Sequence, residues 1–203
     1  MLTLDHLAVL GETLEEAVGV IEATLGQPML PGGKHAHFGT HNQVMGLADG
    51  LYLEAIATDP AAPPPETARW FGLDTFRGEA RLDKWICRVP DMEAALEALP
   101  MAGRPVELSR GTLEWIMAVP EDGQLPYDGL FPALIQWLSP VPPGTTLNGS
   151  GWRLTGLEIR HPEARSLSRL LSPHLTDPRL RYVSDETPAL EAVFEGASGE
   201  RVL

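Results

Sequence analysis

The chain has 203 residues, a hydrophobic fraction of 43% and a formal net charge of −13, a composition typical of a soluble globular protein. The negative charge would repel the phosphate backbone of a nucleic acid and the surface of an anionic membrane, so we expect neither as a partner. A single cysteine, Cys87, excludes an internal disulfide and a cysteine-based zinc site.

The N-terminal segment lacks the features of a secretory signal, because Asp5 and His6 interrupt its apolar stretch. No apolar stretch in the sequence reaches the roughly 18 residues that a membrane-spanning helix needs. We therefore expect a cytoplasmic protein.

The first 58 residues predict one strand, one helix and three further strands. Residues 4–9 have the period of two that is typical of a strand. Thr13 and Glu16 form a capping-box pattern at the start of a helix, and Gly26 ends it. We interpret Pro-Gly-Gly at 31–33 as a turn, with strands following at 35–38, 42–47 and 51–56. Residues 1–58 thus predict a βαβββ module.

This pattern then repeats. Leu82-Asp83-Lys84 matches Leu4-Asp5-His6, and a helical segment follows each match at the same distance. Further strands are predicted at 105–108, 113–119 and 134–137, so residues 81–138 form a second βαβββ module. Between its last two strands lies a loop, EDGQLPYDGLFP, long enough to suggest a function.

The C-terminal part, residues 152–203, predicts a partial third module that begins with a strand and a helix. Proline-rich connectors at 59–80 and 139–151 separate the three parts. The first connector carries Trp70 and Phe71, which could form a lid over a pocket or cover a sheet edge; we expect the second role.

Four segments resemble one known family. They are LDHLAV at 4–9, GTHN at 39–42, the strand ending in Asp-Pro at 52–60, and IQW at 135–137. Together with the repeat, they resemble the vicinal oxygen chelate superfamily, and most closely its glyoxalase-like domain branch. The resemblance implies an α+β fold in which paired βαβββ modules form a half-open, eight-stranded mixed barrel around a ligand cavity, with helices on the outer face.

Metal-dependent members of this superfamily place ligands on the first and fourth strands of each module. The resemblance therefore implies His6 and Glu54 as ligands in the first module, but the corresponding residues of the second module are Lys84 and Gln136. An ammonium group does not bind metal and an amide is a weak ligand, so we expect no tightly bound metal. The alternative is a loosely bound divalent zinc, nickel, manganese or iron ion on His6, Glu54 and His41.

Strand alternation independently predicts that His6 faces away from the first helix if Leu7 and Val9 pack against that helix. Glu54 shares its face with Tyr52. A glutamate in an apolar cavity has a raised pKa, which suits a general base, and His6 would be its catalytic partner. The alternative is a structural ion pair between Glu54 and Lys84.

His41 and Asn42 have two open interpretations, as polar contacts to a ligand or as part of a bend in which Asn42 bonds nearby backbone. The complete set of predicted substrate-binding residues is His41, Asn42, Tyr52, Lys84, Trp85, Gln136 and Trp137.

Three functions remain open from the sequence. The first is a lyase, isomerase or epimerase that acts on a small oxygen-rich metabolite. The second is a non-catalytic protein that sequesters a small, partly aromatic compound without a metal, and the third is a structural or regulatory dimer. We expect a homodimer under any of the three, because the exposed strand edges of half-open barrels often pair between subunits.

Overall fold

A computed structural model describes residues Met1–Leu203 as two β-sheets and three α-helices. The larger sheet contains β1 (Thr3–Leu10), β2 (Leu30–His35), β3 (Thr40–Gly46), β4 (Tyr52–Thr58), β5 (Arg81–Arg88), β6 (Arg104–Arg110), β7 (Leu113–Val119) and β8 (Ala133–Trp137). Their order across the sheet is β2-β3-β4-β1-β5-β8-β7-β6. The predicted eight-stranded mixed half-barrel is therefore confirmed.

The sheet has two halves with the same internal pattern. In the first half β1 pairs in parallel with β4, and in the second half β5 pairs in parallel with β8. The two halves meet where β1 and β5 run antiparallel. The edge strands β2 and β6 approach each other without pairing, which leaves the barrel half-open.

Local sequence explains the helices. The first helix, α1 (Leu14–Leu25), begins with the predicted capping box between Thr13 and Glu16 and ends at Gly26, whose φ is 63°. It buries Ala17, Ile21 and Leu25 against the sheet. The second helix, α2 (Met92–Ala98), is capped by the Asp91 side chain, and the third, α3 (Ala164–Leu171), has no side-chain cap. None of these helices has the length and apolarity needed to cross a bilayer.

The C-terminal part forms the smaller sheet, with β9 (Arg153–Arg160), β10 (Leu180–Val183), β11 (Ala189–Gly196) and β12 (Gly199–Val202) in the order β10-β9-β11-β12. The Trp152 indole anchors it by donating a hydrogen bond to the carbonyl of Leu25, at 2.9 Å. One continuous hydrophobic core includes buried residues of both sheets.

One predicted strand was misplaced. Residues 31–33 are not a turn but lie within β2, and the strand ends at His35 instead of beginning there. The glycines serve close approach rather than a turn, because a Cβ on Gly32 would collide with the Asn42 side chain.

Candidate functional site

The concave side of the half-barrel holds a cavity of about 230 Å³. Its walls are largely aromatic, and most of its polar residues lie on neighbouring strands of the first module, while Arg110 comes from β6 of the second. The aromatic residues that line it are Tyr52, Trp70, Phe71, Trp115 and Trp137. Such a space suits a small molecule with an apolar body and a few polar groups.

A buried pair of opposite charges lies in this cavity. The Nε2 atom of His6 on β1 is 3.5 Å from Oε2 of Glu54 on β4, and both residues are no more than 5% exposed. The Tyr52 ring stacks on the imidazole of His6 with a centroid distance of 4.3 Å. Two predicted catalytic residues are thus in contact, and Tyr52 fixes the orientation of one of them.

Asp5 holds His6 from the other side, and it is not among the predicted site residues. Its Oδ1 atom lies 2.7 Å from Nδ1 of His6, and its Oδ2 atom accepts a hydrogen bond of 3.1 Å from the Trp137 indole. Strict alternation would put Asp5 and His6 on opposite faces. A register shift between Leu4 and His6 in the pairing with β5 interrupts that alternation at Asp5.

The two carboxylates determine the charge of His6. Burial alone would lower its pKa, but hydrogen bonds and charge interactions with Asp5 and Glu54 outweigh burial and raise the pKa to about 9. With a carboxylate beside each ring nitrogen, His6 is an imidazolium at neutral pH.

The expected rise in the pKa of Glu54 is wrong. Burial does act to raise it, but the hydrogen bond and charge of His6, with a further hydrogen bond from Asn42, lower the pKa below its ordinary value. The surroundings of Glu54 are not the expected apolar ones, because the His6 cation lies next to the carboxylate. Glu54 is therefore ionised at neutral pH.

Asn42 on β3 connects this pair to the edge of the barrel. Its Nδ2 atom donates to Oε1 of Glu54 at 2.5 Å. Its Oδ1 atom accepts from the Gly33 amide at 2.8 Å and from Nη1 of Arg110 at 3.1 Å. Asn42 thus bonds backbone, that of Gly33 on the neighbouring strand, and also orients the carboxylate. Its contact with a ligand stays a prediction.

His35, at the end of β2, is a neutral neighbour of this network. Its Nε2 atom accepts from Nη1 of Arg110 at 3.0 Å, so its Nδ1 atom carries the hydrogen that it donates to Oγ1 of Thr40, also at 3.0 Å. Burial is the main cause that lowers the pKa of His35 to about 4, and the nearby charge of Arg110 acts in the same direction.

Three predicted binding residues of the second module do not line the cavity. The Trp85 indole donates to the Leu130 carbonyl at 2.8 Å, and Oε1 of Gln136 accepts from the Met92 amide at the start of α2. The Lys84 ammonium contacts the Asp83 carboxylate, so the alternative ion pair with Glu54 does not form. Alternation along β8 explains Gln136, because its neighbours Ile135 and Trp137 line the cavity and Gln136 therefore points to the other face.

His41 also lies outside the set of residues that line the cavity. It alternates with Asn42 along β3, so when Asn42 faces Glu54 the imidazole of His41 points to the other face. Its Nε2 atom is buried and has no hydrogen-bond partner.

The residues present do not fit a chelated metal. No group of three or more histidine, cysteine, aspartate or glutamate side chains is arranged to hold an ion. The second module presents Met117 and Ile135 to the cavity, and neither adds a nitrogen or oxygen ligand. Typical catalytic sites need more donors than His6 and Glu54 provide.

Both proline-rich connectors contribute to the cavity. Trp70 and Phe71 line it, which agrees with the lid interpretation. The second connector, residues 139–151, brings Pro143, Thr146 and Leu147 to another wall, a placement that no sequence pattern indicated. The ligand space is therefore closed by segments outside the two modules.

Comparisons with known proteins agree with this fold. The family profile described as "Glyoxalase-like domain" matches residues 4–175. A solved structure of a hypothetical protein from Staphylococcus aureus superposes with a TM-score of 0.58 at 16% identity, covering 84% of this chain and 74% of that one. At this identity the similarity concerns the fold alone.

Methylmalonyl-CoA epimerases are also among the similar structures. The enzyme from Mycobacterium tuberculosis has a TM-score of 0.42 at 17% identity and covers 66% of this chain and 85% of its own. One from Streptomyces coelicolor has a TM-score of 0.45 at 18% identity and covers 68% and 97%. A search of curated protein sequences found no match.

Proposed function

Because the chain belongs to the glyoxalase-like domain family, we propose that it is a lyase, isomerase or epimerase that moves a proton on a small oxygen-rich metabolite. The observation that carries this proposal is the buried pair of Glu54 and His6 in the cavity, 3.5 Å apart. Glu54 is the general base and His6 its acidic partner.

The proton transfer uses the charges that the site already has. Glu54 is ionised at neutral pH and takes a proton from a carbon next to a substrate carbonyl. The electron pair of the broken C–H bond moves to the carbonyl oxygen, where the His6 imidazolium donates a hydrogen bond or a proton. Return of a proton to the same or a neighbouring atom completes the exchange and restores both residues.

A low pKa makes Glu54 a weak base while His6 donates a hydrogen bond to it, and loss of that hydrogen bond would strengthen the base. The hydrogen bond from His6 is one of the main causes of the low pKa. When His6 donates to a substrate oxygen instead, Glu54 loses that bond while burial still acts to raise its pKa. Substrate binding would thus activate the base. Asp5 and the Tyr52 ring hold the imidazole in place during this change.

The test is the exchange of substrate C–H for deuterium in D₂O, followed by NMR over a panel of 2-oxo and 2-hydroxycarbonyl compounds. Glu54→Gln keeps the shape of the side chain and removes the base, so we expect exchange to fall by about 100-fold or more. The control is Glu114→Gln, an exposed position on β7 of the same sheet. Equal exchange by the wild type and Glu54→Gln would refute Glu54 as the base.

A second candidate is the non-catalytic binding protein. It is favoured by the closed hydrogen-bond network, in which Asn42 already occupies Oε1 of Glu54 and His6 lies beside Oε2. Tryptophan quenching by a compound that undergoes no exchange would support this function. The aromatic walls make such quenching observable, since Trp70, Trp115 and Trp137 all line the cavity.

A further inference from the structure

Arg110 is a charged residue of the cavity that has no role in the proposed proton transfer. It ends β6, and its side chain crosses the open side of the half-barrel to reach Asn42 on β3 and His35 on β2. Gly33 makes this crossing possible, because a Cβ there would lie 2.6 Å from Cδ of Arg110. Arg110 is half-buried and lines the cavity.

This guanidinium has no carboxylate partner. Both hydrogen bonds of Arg110 come from Nη1 and go to neutral acceptors, Nε2 of His35 and Oδ1 of Asn42. Its Nε and Nη2 groups make no hydrogen bond within the protein, and Arg110 takes part in none of the ion pairs of the chain. The other arginines that form no ion pair are exposed to solvent, whereas Arg110 is half-buried in the wall of the cavity.

The other charges near the cavity are balanced. Glu54 faces the His6 imidazolium, and Asp5 lies between His6 and the Arg88 guanidinium, at 2.7 Å and 3.9 Å respectively. Arg110 therefore leaves the cavity with an excess positive charge. A guanidinium with free N–H groups recognises planar anions, and a carboxylate fits it in two-point geometry.

We propose that Arg110 binds a carboxylate of the ligand, so that the substrate class is a small carboxylic acid with an apolar or aromatic body. Asn42 bridges Arg110 and Glu54, which puts the anchored carboxylate within a few atoms of the base. In such a substrate, the carbon that loses its proton is attached to a carbonyl group that also bears the carboxylate, as in a 2-oxo acid. The apolar body of the substrate lies against the tryptophans. This identification of the substrate class rests on the proposed function, whereas the carboxylate site itself does not.

The experiment compares matched anionic and neutral probes by calorimetry. Phenylacetate and 3-phenylpropanoate are titrated into the full-length protein alongside phenylacetamide and 3-phenylpropanamide. We expect the carboxylates to bind at least about tenfold more tightly than the amides, and Arg110→Gln to abolish that preference. The control is Arg104→Gln, an exposed arginine on the same strand that forms no ion pair; it should keep the preference.

A second variant covers the case in which Arg110→Gln fails to fold. Gly33→Ala leaves the arginine present but forces its side chain to move, so it should weaken carboxylate binding and leave amide binding unchanged. Three results would overturn the inference: no carboxylate preference in the wild type, an unchanged preference in Arg110→Gln, or no carboxylate binding up to about 10 mM.

The readout is binding, so it separates this inference from the proposed function. Glu54→Gln should retain the carboxylate preference even if it abolishes exchange. A carboxylate preference without Glu54-dependent exchange would support the Arg110 site and refute Glu54 as the base. Glu54-dependent exchange without a carboxylate preference would support the base and refute the Arg110 site.

Discussion

The charge of His6 depends on two neighbours, Asp5 at 2.7 Å and Glu54 at 3.5 Å. Without them, burial would keep the imidazole neutral, because desolvation disfavours the charged form. His35 illustrates that case: it is buried to a similar degree, has no carboxylate in hydrogen-bond contact, and its pKa falls to about 4. The difference between the pKa values of the two histidines therefore comes from the neighbouring carboxylates and not from the depth of burial.

Asp5→Asn should therefore destabilise the folded state at neutral pH. The variant removes the charge that holds the His6 imidazolium and weakens the acceptor of the Trp137 indole. We expect the free energy of unfolding to fall by about 1–3 kcal/mol, the usual cost of disrupting a buried charged hydrogen bond. Urea unfolding at pH 7 measures it.

The matched control is Asp83→Asn, which occupies the corresponding place in the second module and contacts Arg81 and Lys84 instead of a histidine. Asp83 is more exposed than Asp5, so its loss should cost less. Equal losses of stability in the two variants would contradict a special role for Asp5.

Residue-level prediction from the sequence succeeded where strand alternation is regular. His6, Glu54, Asn42, Tyr52 and Trp137 all line the cavity as predicted. Asp5 was missed because a register shift breaks the alternation at that point. No local pattern could identify Arg110, since its contacts lie about 70 residues away in sequence, at positions 35 and 42.

At the scale of elements, the connector at 139–151 acts as a strap across the cavity. It packs against the turn between β3 and β4, where a Cβ on Gly144 would collide with the Gly50 carbonyl. It also forms an isolated parallel bridge between Gly149 and Gly46. Glycines at the contact allow the strap to lie close enough for Leu147 to reach the ligand space.

Gly144→Ala should lift the strap and open the cavity. We expect faster cleavage of the strap in limited proteolysis and weaker binding of 3-phenylpropanoate, with little change in the global free energy of unfolding. Gly149→Ala is the matched control, because a Cβ at that position meets no atom within 4 Å. Identical proteolysis of both variants would contradict the close contact at Gly144.

Element prediction worked best for α1, where the capping box and Gly26 mark both ends in the sequence. It failed for β2, where consecutive glycines look like a turn but allow the strand to approach Asn42 and Arg110. Glycine allows both a turn and the close approach of a neighbouring chain segment. Which of the two occurs depends on residues that are distant in the sequence.

At the scale of the whole molecule, the repeat in the sequence predicted the eight-stranded sheet, because each βαβββ module is specified by its own local pattern. The position of the C-terminal sheet depends instead on Trp152 and Leu25, which are far apart in the chain. The homodimer stays a prediction, and the unpaired edges of β2 and β6 are where we expect the subunits to meet.

Stability should have a maximum near pH 6.5. The folded state raises the pKa of His6 from 6.5 to about 9, so its contribution is complete below pH 6.5 and is lost as pH rises to 9. It lowers the pKa of His35 from 6.5 to about 4, so that contribution is complete above pH 6.5 and is lost as pH falls to 4. The lowered pKa of Glu54 adds to the loss on the acid side.

Urea unfolding between pH 4 and 9 measures both sides of this maximum. Each histidine should contribute a change on the order of 3 kcal/mol across its range. His6→Gln should flatten the alkaline side and His35→Gln the acid side. A stability that increases steadily from pH 6.5 to 9 in the wild type would contradict the charge assigned to His6.

The most direct test of the buried charged pair is an NMR titration of the His6 ring in the full-length protein, with the resonances assigned by comparison with His6→Gln. The structure predicts an imidazolium at neutral pH and a titration midpoint near 9. A midpoint at or below 6.5 would mean that His6 is neutral, that Glu54 lacks its cation, and that the proposed proton transfer does not start from this pair.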